Sequence, residues 1–453
     1  MDRPLRVAVI GSGPSGVYAA DALVSQEEIP VEVDLIDRLP VPFGLVRYGV
    51  APDHLSIRSV RDNLDRVLDK PGVRFMGNVE VGTDVDMDDL LRFYDAVLLS
   101  YGASGDRRLG IAGEDLDGSI AATDFVAWYC GHPDADRAGF EELIPRATGV
   151  VVVGVGNVAV DVTRVLAKTV GELDHTDMPQ HVFDTLATSK VTDVHVLGRR
   201  GPAHASWTTK ELRELGELED CDIVVDPGVM ELDPSGEALV ASDKAVARNV
   251  EVLREWSTRA PAGKSRRIHL HFLARPVEIT GTTAVESVVV ERTRMTPDGK
   301  AEGTGETYAI PANVVVRSVG YRGVALPGVP FDESANVIPH EDGRVIRDGK
   351  PVPGVYVAGW IKRGPTGIIG TNKKCAVSTV ASILEDVQTG ALPEAPSGSA
   401  GAIDAFLQDK GVEVVDTEGW RRIDAAERSL GSTRDRDRTT VHERDDLLAH
   451  ARG

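Results

Sequence analysis

The sequence predicts an α/β fold built as two parallel-sheet units, and three observations predict it. Residues 5–23 and 149–168 each read as a buried strand, a glycine-rich turn and a helix. Further apolar strands within 95–103, 311–322 and 353–374 run into glycine. A length of 453 residues leaves room for two or three domains.

The first segment is LRVAVIGSGPSGVYAADAL, with glycines at Gly11, Gly13 and Gly16. The three glycines act differently. Gly11 permits the tight turn, Gly13 lets backbone approach a pyrophosphate, and Gly16 lets the helix pack close to the strand. The helix then offers free N–H groups and a positive dipole end to the phosphates. The next strand, VEVDLID, ends in Asp37, 21 residues beyond Gly16, where an acid meets a ribose hydroxyl. Strand, loop, helix, strand and acid in register form a Rossmann-like dinucleotide-binding unit.

The second segment, GVVVVGVGNVAVDVTRVLAK, has Gly154, Gly156 and Ala159 at the same spacing. Polar and helical sequence follows, and then a strand, VTDVHVLGRR. The acid expected at that strand's end is replaced by Arg199 and Arg200. A cationic pair there accommodates a 2′-phosphate that a carboxylate would repel. The alternative is two surface arginines held in ion pairs. Two dinucleotide sites of opposite preference imply FAD and NADP, since a flavin is the acceptor that takes a hydride and releases single electrons.

The later strands are read as the return of the chain to the first unit. The expected layout is a discontinuous FAD-binding domain at 1–106 and 325–453, with an NADP-binding domain at 107–324 between its parts. Residues 390–401, GALPEAPSGSAG, are a linker by composition, followed by a C-terminal helical extension. The last stretch, from 432, alternates charge and reads as a solvated helix or frayed tail.

Bulk properties exclude several classes. The chain has 71 acidic and 50 basic residues, a net charge of −21, which argues against general nucleic-acid binding and against anionic membranes. No apolar run approaches the roughly 20 residues of a membrane helix, and the run Val7–Ile10 ends at once in glycine, unlike a secretory signal. A cytoplasmic location is expected. Cys130, Cys221 and Cys375 are far apart with no Cys-x-x-Cys, so neither a metal ribbon nor a dithiol centre is indicated. His269 and His271 alternate on one strand face, but such a pair needs more ligands to hold a metal, so no metal site is assigned. Ser206 and His204 lie close in sequence without the strained turn of a nucleophile.

Longer motifs carry a family resemblance: LPVPFGLVRYGVAPDH (39–54), GVGNVAVDVTR (154–164), VLGRRGP (196–202), TKELREL (209–215), VVRSVGYRG (315–323) and GWIKRGPTGIIGTNK (359–373). The chain resembles adrenodoxin-reductase-type ferredoxin–NADP reductases over most of its length. The resemblance implies a glutathione-reductase-like fold without the redox disulfide, and an oxidoreductase that moves electrons from NADPH through FAD to a small iron–sulfur ferredoxin. It implies FAD contacts at Ser15, Asp37, Leu45 and Val81, with Trp360, Gly367, Ile368 and Ile369 against the flavin. It implies NADP contacts at Val155, Gly156, Asn157, Val158, Arg199, Arg200, Glu211 and Arg107. The family often has Glu where Asp37 stands.

The same residues have a physical reading. Glycines at 364, 367 and 370 let backbone approach a planar ring, and Ile368 and Ile369 open a helix whose N–H groups face it. Trp360 covers the ring and excludes water, or is simply a core indole. His54 and Glu214 are the titratable candidates for a proton relay, against a structural hydrogen bond between them. Segment 243–267 carries seven cations against three carboxylates, a net +4, and includes Arg248 and Arg254. It is the expected docking place for an acidic ferredoxin. The alternative function is a flavin-dependent NADPH oxidase or monooxygenase-like enzyme. Subunits of larger electron-transfer complexes carry cysteine-rich cluster segments that this chain lacks.

Overall fold

The computed structural model describes residues 3–397, 399 and 401–453. The chain divides into two compact units, Met1–Gly105 with Tyr321–Gly453, and Asp106–Gly320. The sequence expectation placed the second unit at 107–324, so its end falls earlier in the structure than expected. Two residues of the expected linker, 398 and 400, lie outside the described residues.

The first unit is built on a seven-stranded sheet in the order 340–341, 344–347, 350–357, 96–99, 5–10, 31–36, 73–76. The last five run parallel, and the first two join antiparallel at the edge. Strand Leu5–Ile10 is buried along its whole length, as an apolar run in a sheet covered on both faces must be. The strand order reverses between the parallel strands 5–10 and 96–99, and the crevice at the carboxyl ends of such a switch point is where these folds take ligands. Helix Pro14–Ser25 packs along the long helix Ile369–Thr389.

The second unit has a six-stranded, all-parallel sheet in the order 119–121, 314–317, 149–153, 193–197, 266–271, 221–225. Its switch point lies between 149–153 and 314–317. A separate antiparallel sheet of strands 274–280, 287–295 and 301–311 shares a core with one face of the large sheet, through Val151, Val153, Leu197, Val288 and Val290.

The C-terminal stretch departs from expectation. Arg438, Thr439, Thr440 and Val441 are buried, and helix Arg444–Arg452 buries Leu447 and Ala451. The alternating charges are spent on specific partners. Arg438 donates to Glu427, Arg444 to the Asn78 side chain and the Arg38 carbonyl, and Arg452 pairs with Glu413. Glu427 is fully buried and also receives both terminal nitrogens of Arg47, a guanidinium 1% exposed that lies over Trp420. Breaking one partner of such a buried pair costs about 3–5 kcal/mol. The tail is therefore docked on the glycine-loop unit rather than frayed.

Candidate functional site: two glycine loops

In the first unit Gly11 turns the chain out of the strand, and Gly13 is the N-cap of helix Pro14–Ser25 with no side chain closing the helix end. A Cβ at Gly16 would sit 1.9 Å from the Gly11 carbonyl oxygen, so only glycine permits this approach of helix to strand. At Gly13 a Cβ would meet nothing within 4 Å, so that backbone faces open space. A helix N-terminus that no side chain closes suits an anion.

Asp37 follows the end of strand Val31–Ile36 and closes on the loop. Its Oδ2 accepts from the Ser12 N–H at 2.8 Å and the Ser12 hydroxyl at 2.5 Å, while Oδ1 accepts from the Leu39 N–H at 3.0 Å. The carboxylate thus fixes the loop against the second strand. Sequence reasoning does not single out Ser12, because it occupies a freely variable position of the glycine pattern.

Several polar groups here are buried without a protein partner. Ser15 Oγ and Trp360 Nε1 are among them, and orphaned buried donors of this kind point to a missing ligand or water. Ser15 and Trp360 come together because strand Lys350–Val357 delivers Gly359 to the glycine loop. A Cβ on Gly359 would lie 2.7 Å from Ser15 Oγ. The Trp360 ring is half-buried and packs on Tyr321 with centroids 5.5 Å apart.

Helix Ile369–Thr389 begins one residue later than expected, with Ile368 as its N-cap. The Ile368 N–H donates to Thr371 Oγ1 at 3.2 Å, and the Ile368 side chain is 73% exposed. Leu45 opens a short helix and is 36% exposed. Val81 is half-buried. Large apolar side chains left open beside a glycine loop mark a surface meant to be covered. The donors, the orphaned hydroxyl and the apolar cover fit a flavin dinucleotide.

The second unit repeats the plan with different ends. Gly154 has φ +135°, and a Cβ there would lie 2.2 Å from the Ser318 carbonyl oxygen. Gly156 caps helix Asn157–Ala167 without a side-chain hydrogen bond, and its surroundings are open except for Ser206 Oγ. Asn157 Oδ1 accepts from the Thr208 N–H at 2.9 Å, which ties loop 206–208 to the glycine turn. Val155 and Val158 are half-buried beside it.

Arg199 and Arg200 are exposed at the end of strand Asp193–Leu197. Their backbone is pinned. The Arg199 carbonyl accepts from Thr293 Oγ1 at 2.7 Å, and the Arg200 carbonyl from the Leu273 N–H at 3.1 Å. Among the described residues neither guanidinium is in an ion pair with a carboxylate, so the ion-pair reading is not what the structure has. Arg200 Nη2 donates to the His204 carbonyl at 3.4 Å, and a fixed main chain carrying two exposed cations that no carboxylate neutralises fits a phosphate monoester.

Arg107 is exposed, and its N–H donates to the Gly320 carbonyl. Glu211 and Glu214 both lie on helix Thr209–Leu215 and, with Asp161, surround the Arg164 guanidinium, itself 1% exposed. Glu214 is also 3.8 Å from Lys210. Sequence reasoning does not anticipate Arg164, although its place one turn after Asp161 on the glycine-loop helix is a usable signal. His54 belongs to the first unit, where it is buried and N-caps helix Leu55–Arg58.

The cationic segment 243–267 is less available than its count suggests. Helix Lys244–Thr258 buries Val250, Leu253 and Trp256 and exposes Arg248 and Arg254. Arg259 and Arg267 are spent on Glu255 and Asp193, while Lys264 and Arg266 donate to backbone carbonyls. Among the described residues no helix is long and apolar enough to cross a membrane.

Comparison with known proteins identifies the family of the chain. The pattern of the pyridine nucleotide-disulphide oxidoreductase family matches residues 5–370. The chain is 42% identical to a Mycobacterium tuberculosis protein named NADPH-ferredoxin reductase FprA, covering 98% of this chain and 99% of that one. It is 37% identical to an Arabidopsis thaliana mitochondrial NADPH:adrenodoxin oxidoreductase, covering 99% and 96%. A solved structure of Mycobacterium tuberculosis FprA in complex with NADPH superimposes with a TM-score of 0.92 at 40% identity, covering both chains fully.

Proposed function

Because this chain belongs to the pyridine nucleotide-disulphide oxidoreductase family, we propose that it is an NADPH-dependent, FAD-containing ferredoxin reductase. The observation that carries the reading is the pair of glycine loops, one closed by a carboxylate and the other followed by two arginines that no carboxylate holds. FAD, when bound, supplies the chemistry that accepts a hydride and passes electrons on singly.

The residues divide the work. Gly11, Gly13, Ser15 and Gly16 bind the FAD pyrophosphate with backbone and hydroxyl donors, and Asp37 holds that loop and faces the ribose. Leu45, Val81, Trp360, Gly367, Ile368 and Ile369 pack on the ring system and keep water from it. Val155, Gly156, Asn157 and Val158 hold the NADP pyrophosphate, with Arg107 and Glu211 as further NADP contacts. Arg199 and Arg200 clasp the 2′-phosphate. His54 and Glu214 carry protons between the site and solvent.

An acidic iron–sulfur protein docks near Arg248 and Arg254, steered by their charge. Arg248→Glu should raise the Michaelis constant for ferredoxin at low salt, and the difference should shrink as salt is added. An unchanged constant at low salt would place docking elsewhere.

The decisive experiment is an anaerobic titration of the yellow protein with NADPH and with NADH, followed by ferredoxin. Rapid bleaching by NADPH, slow bleaching by NADH and reoxidation by ferredoxin are expected. A colourless protein after flavin is supplied, or equal reduction by the two coenzymes, overturns the reading.

A further inference from the structure

The sheet of the second unit carries another concentration of chemistry, away from the glycine turn. Strands Asp193–Leu197 and Arg266–His271 run parallel, with Asp193 opposite Arg267 and His195 opposite His269. Side chains alternate between faces along a strand. Asp193, His195, Arg267, His269 and His271 therefore emerge on the same face. The histidine pair at 269 and 271 lacks ligands in the sequence because the remaining ones lie more than 70 residues earlier. Only the register of two strands brings them together.

The contacts are close. The His195 and His269 rings stack with centroids 4.4 Å apart and planes 13° from parallel. His269 Nε2 is 2.8 Å from Asp193 Oδ1, and His195 Nδ1 is 3.0 Å from His271 Nε2. One ligand atom from each of Asp193, His195 and His269 lies within 4.8 Å of the others. All three residues are half-buried, which leaves a route for an ion from solvent.

We propose that Asp193, His195 and His269 form a binding site for one divalent first-row transition ion of the zinc class, with His271 orienting the His195 ring. Two imidazoles and a carboxylate suit Zn2+, Co2+, Ni2+ or Cu2+, whereas Mg2+ and Ca2+ prefer all-oxygen sites. Bonds of about 2.0–2.1 Å in a tetrahedral site put ligand atoms about 3.3 Å apart. Bringing the three donors from within 4.8 Å of one another to that separation requires the stacked imidazoles to rotate. Water completes the coordination.

The competing cation is Arg267, which holds Asp193 through Nε at 2.9 Å and Nη2 at 3.1 Å. Its side chain is 51% exposed, so its displacement into water is a small cost. Occupancy ties two adjacent strands together, and one of them leads directly into Arg199 and Arg200.

The test uses chelator-treated holoenzyme and ZnCl2, followed by calorimetry. Wild type and His175→Gln, a change at an exposed histidine elsewhere in the unit, should each bind one equivalent and melt at a higher temperature with Zn2+. His195→Asn, His269→Asn and Asp193→Asn should each weaken binding by about tenfold or more, while flavin content and NADPH reduction rate stay unchanged. Absence of stoichiometric binding in the wild type overturns the proposal. So does binding that the three variants leave intact, or that His175→Gln weakens equally. Co2+ on the wild type provides a readout that needs no variant. Ligand-field bands beyond the flavin absorption are expected, and their absence also overturns the site.

Discussion

The two glycine loops differ least in the turn itself and most where the next strand ends. In the first unit the strand end is Asp37, and its carboxylate is already engaged with the Ser12 backbone, the Ser12 hydroxyl and the Leu39 backbone. In the second the strand end is Arg199–Arg200, whose main chain is pinned while the side chains are exposed and, among the described residues, held by no carboxylate. One end is finished before ligand arrives, and the other waits for a charge. Under the proposed function, the shared loop geometry serves any pyrophosphate, while a residue or two at the strand end selects the nucleotide.

The sharpest way to break this comparison is to damage the loops one at a time. Gly16→Val drives a side chain into the Gly11 carbonyl, and Gly154→Val does the same at the Ser318 carbonyl with a strained φ in addition. The first variant should purify without colour. The second should keep its absorption near that of wild type and fail to be bleached by NADPH. If Gly154→Val loses its colour as well, the two sites are not separable.

Next in size is the cationic pair. A hydrogen bond to a charged group is worth about 1.5–3 kcal/mol, so Arg199→Ala or Arg200→Ala should each raise the Michaelis constant for NADPH roughly 10–100-fold. Turnover at saturation should hold, and the constant for NADH should barely move. Steady-state kinetics with both coenzymes reads this directly. A parallel loss with NADH would mean that the arginines organise the loop rather than select the phosphate.

How much of this is legible in the sequence follows from the range of the interactions. Both glycine turns, the acid and the arginine pair are local patterns, the first read from residues 5–37 and the second from residues 149–200. Asp37's partner Ser12 is hidden because any residue fits that pattern position. The docking of the C-terminal stretch escapes for a stronger reason. Arg47 and Glu427 meet across a sequence separation of 380, and alternating charge reads as solvation unless the partners are known. The cationic segment 243–267 is overcounted in the same way, since a sum of charges cannot see that Arg267 is held by Asp193 and Arg259 by Glu255.

Smaller effects sharpen the first half of the comparison. Asp37→Ala leaves the Ser12 and Leu39 donors unmatched. It should weaken FAD retention by about 1–3 kcal/mol, without altering the ratio of NADPH to NADH use. Flavin release on dilution measures the first and kinetics the second. The smallest effect concerns the support of the flavin-side helix Ile369–Thr389. Asp386 on that helix accepts from Arg344 at 2.8 and 2.9 Å and from the Tyr356 hydroxyl at 2.6 Å. Burial pushes this carboxyl up, but the Arg344 and Tyr356 hydrogen bonds outweigh it and hold it below its ordinary value. Its protonation is therefore easier in the unfolded chain, and its stabilising contribution is present above a pH of about 4 and fades as pH falls below that. Asp386→Asn should lower the melting temperature of the holoenzyme at neutral pH, and the gap from wild type should begin to narrow once pH falls below about 4. A gap that stays constant would mean that the shape and hydrogen bonding of the Asp386 side chain, and not its ionisation, support this end of the helix.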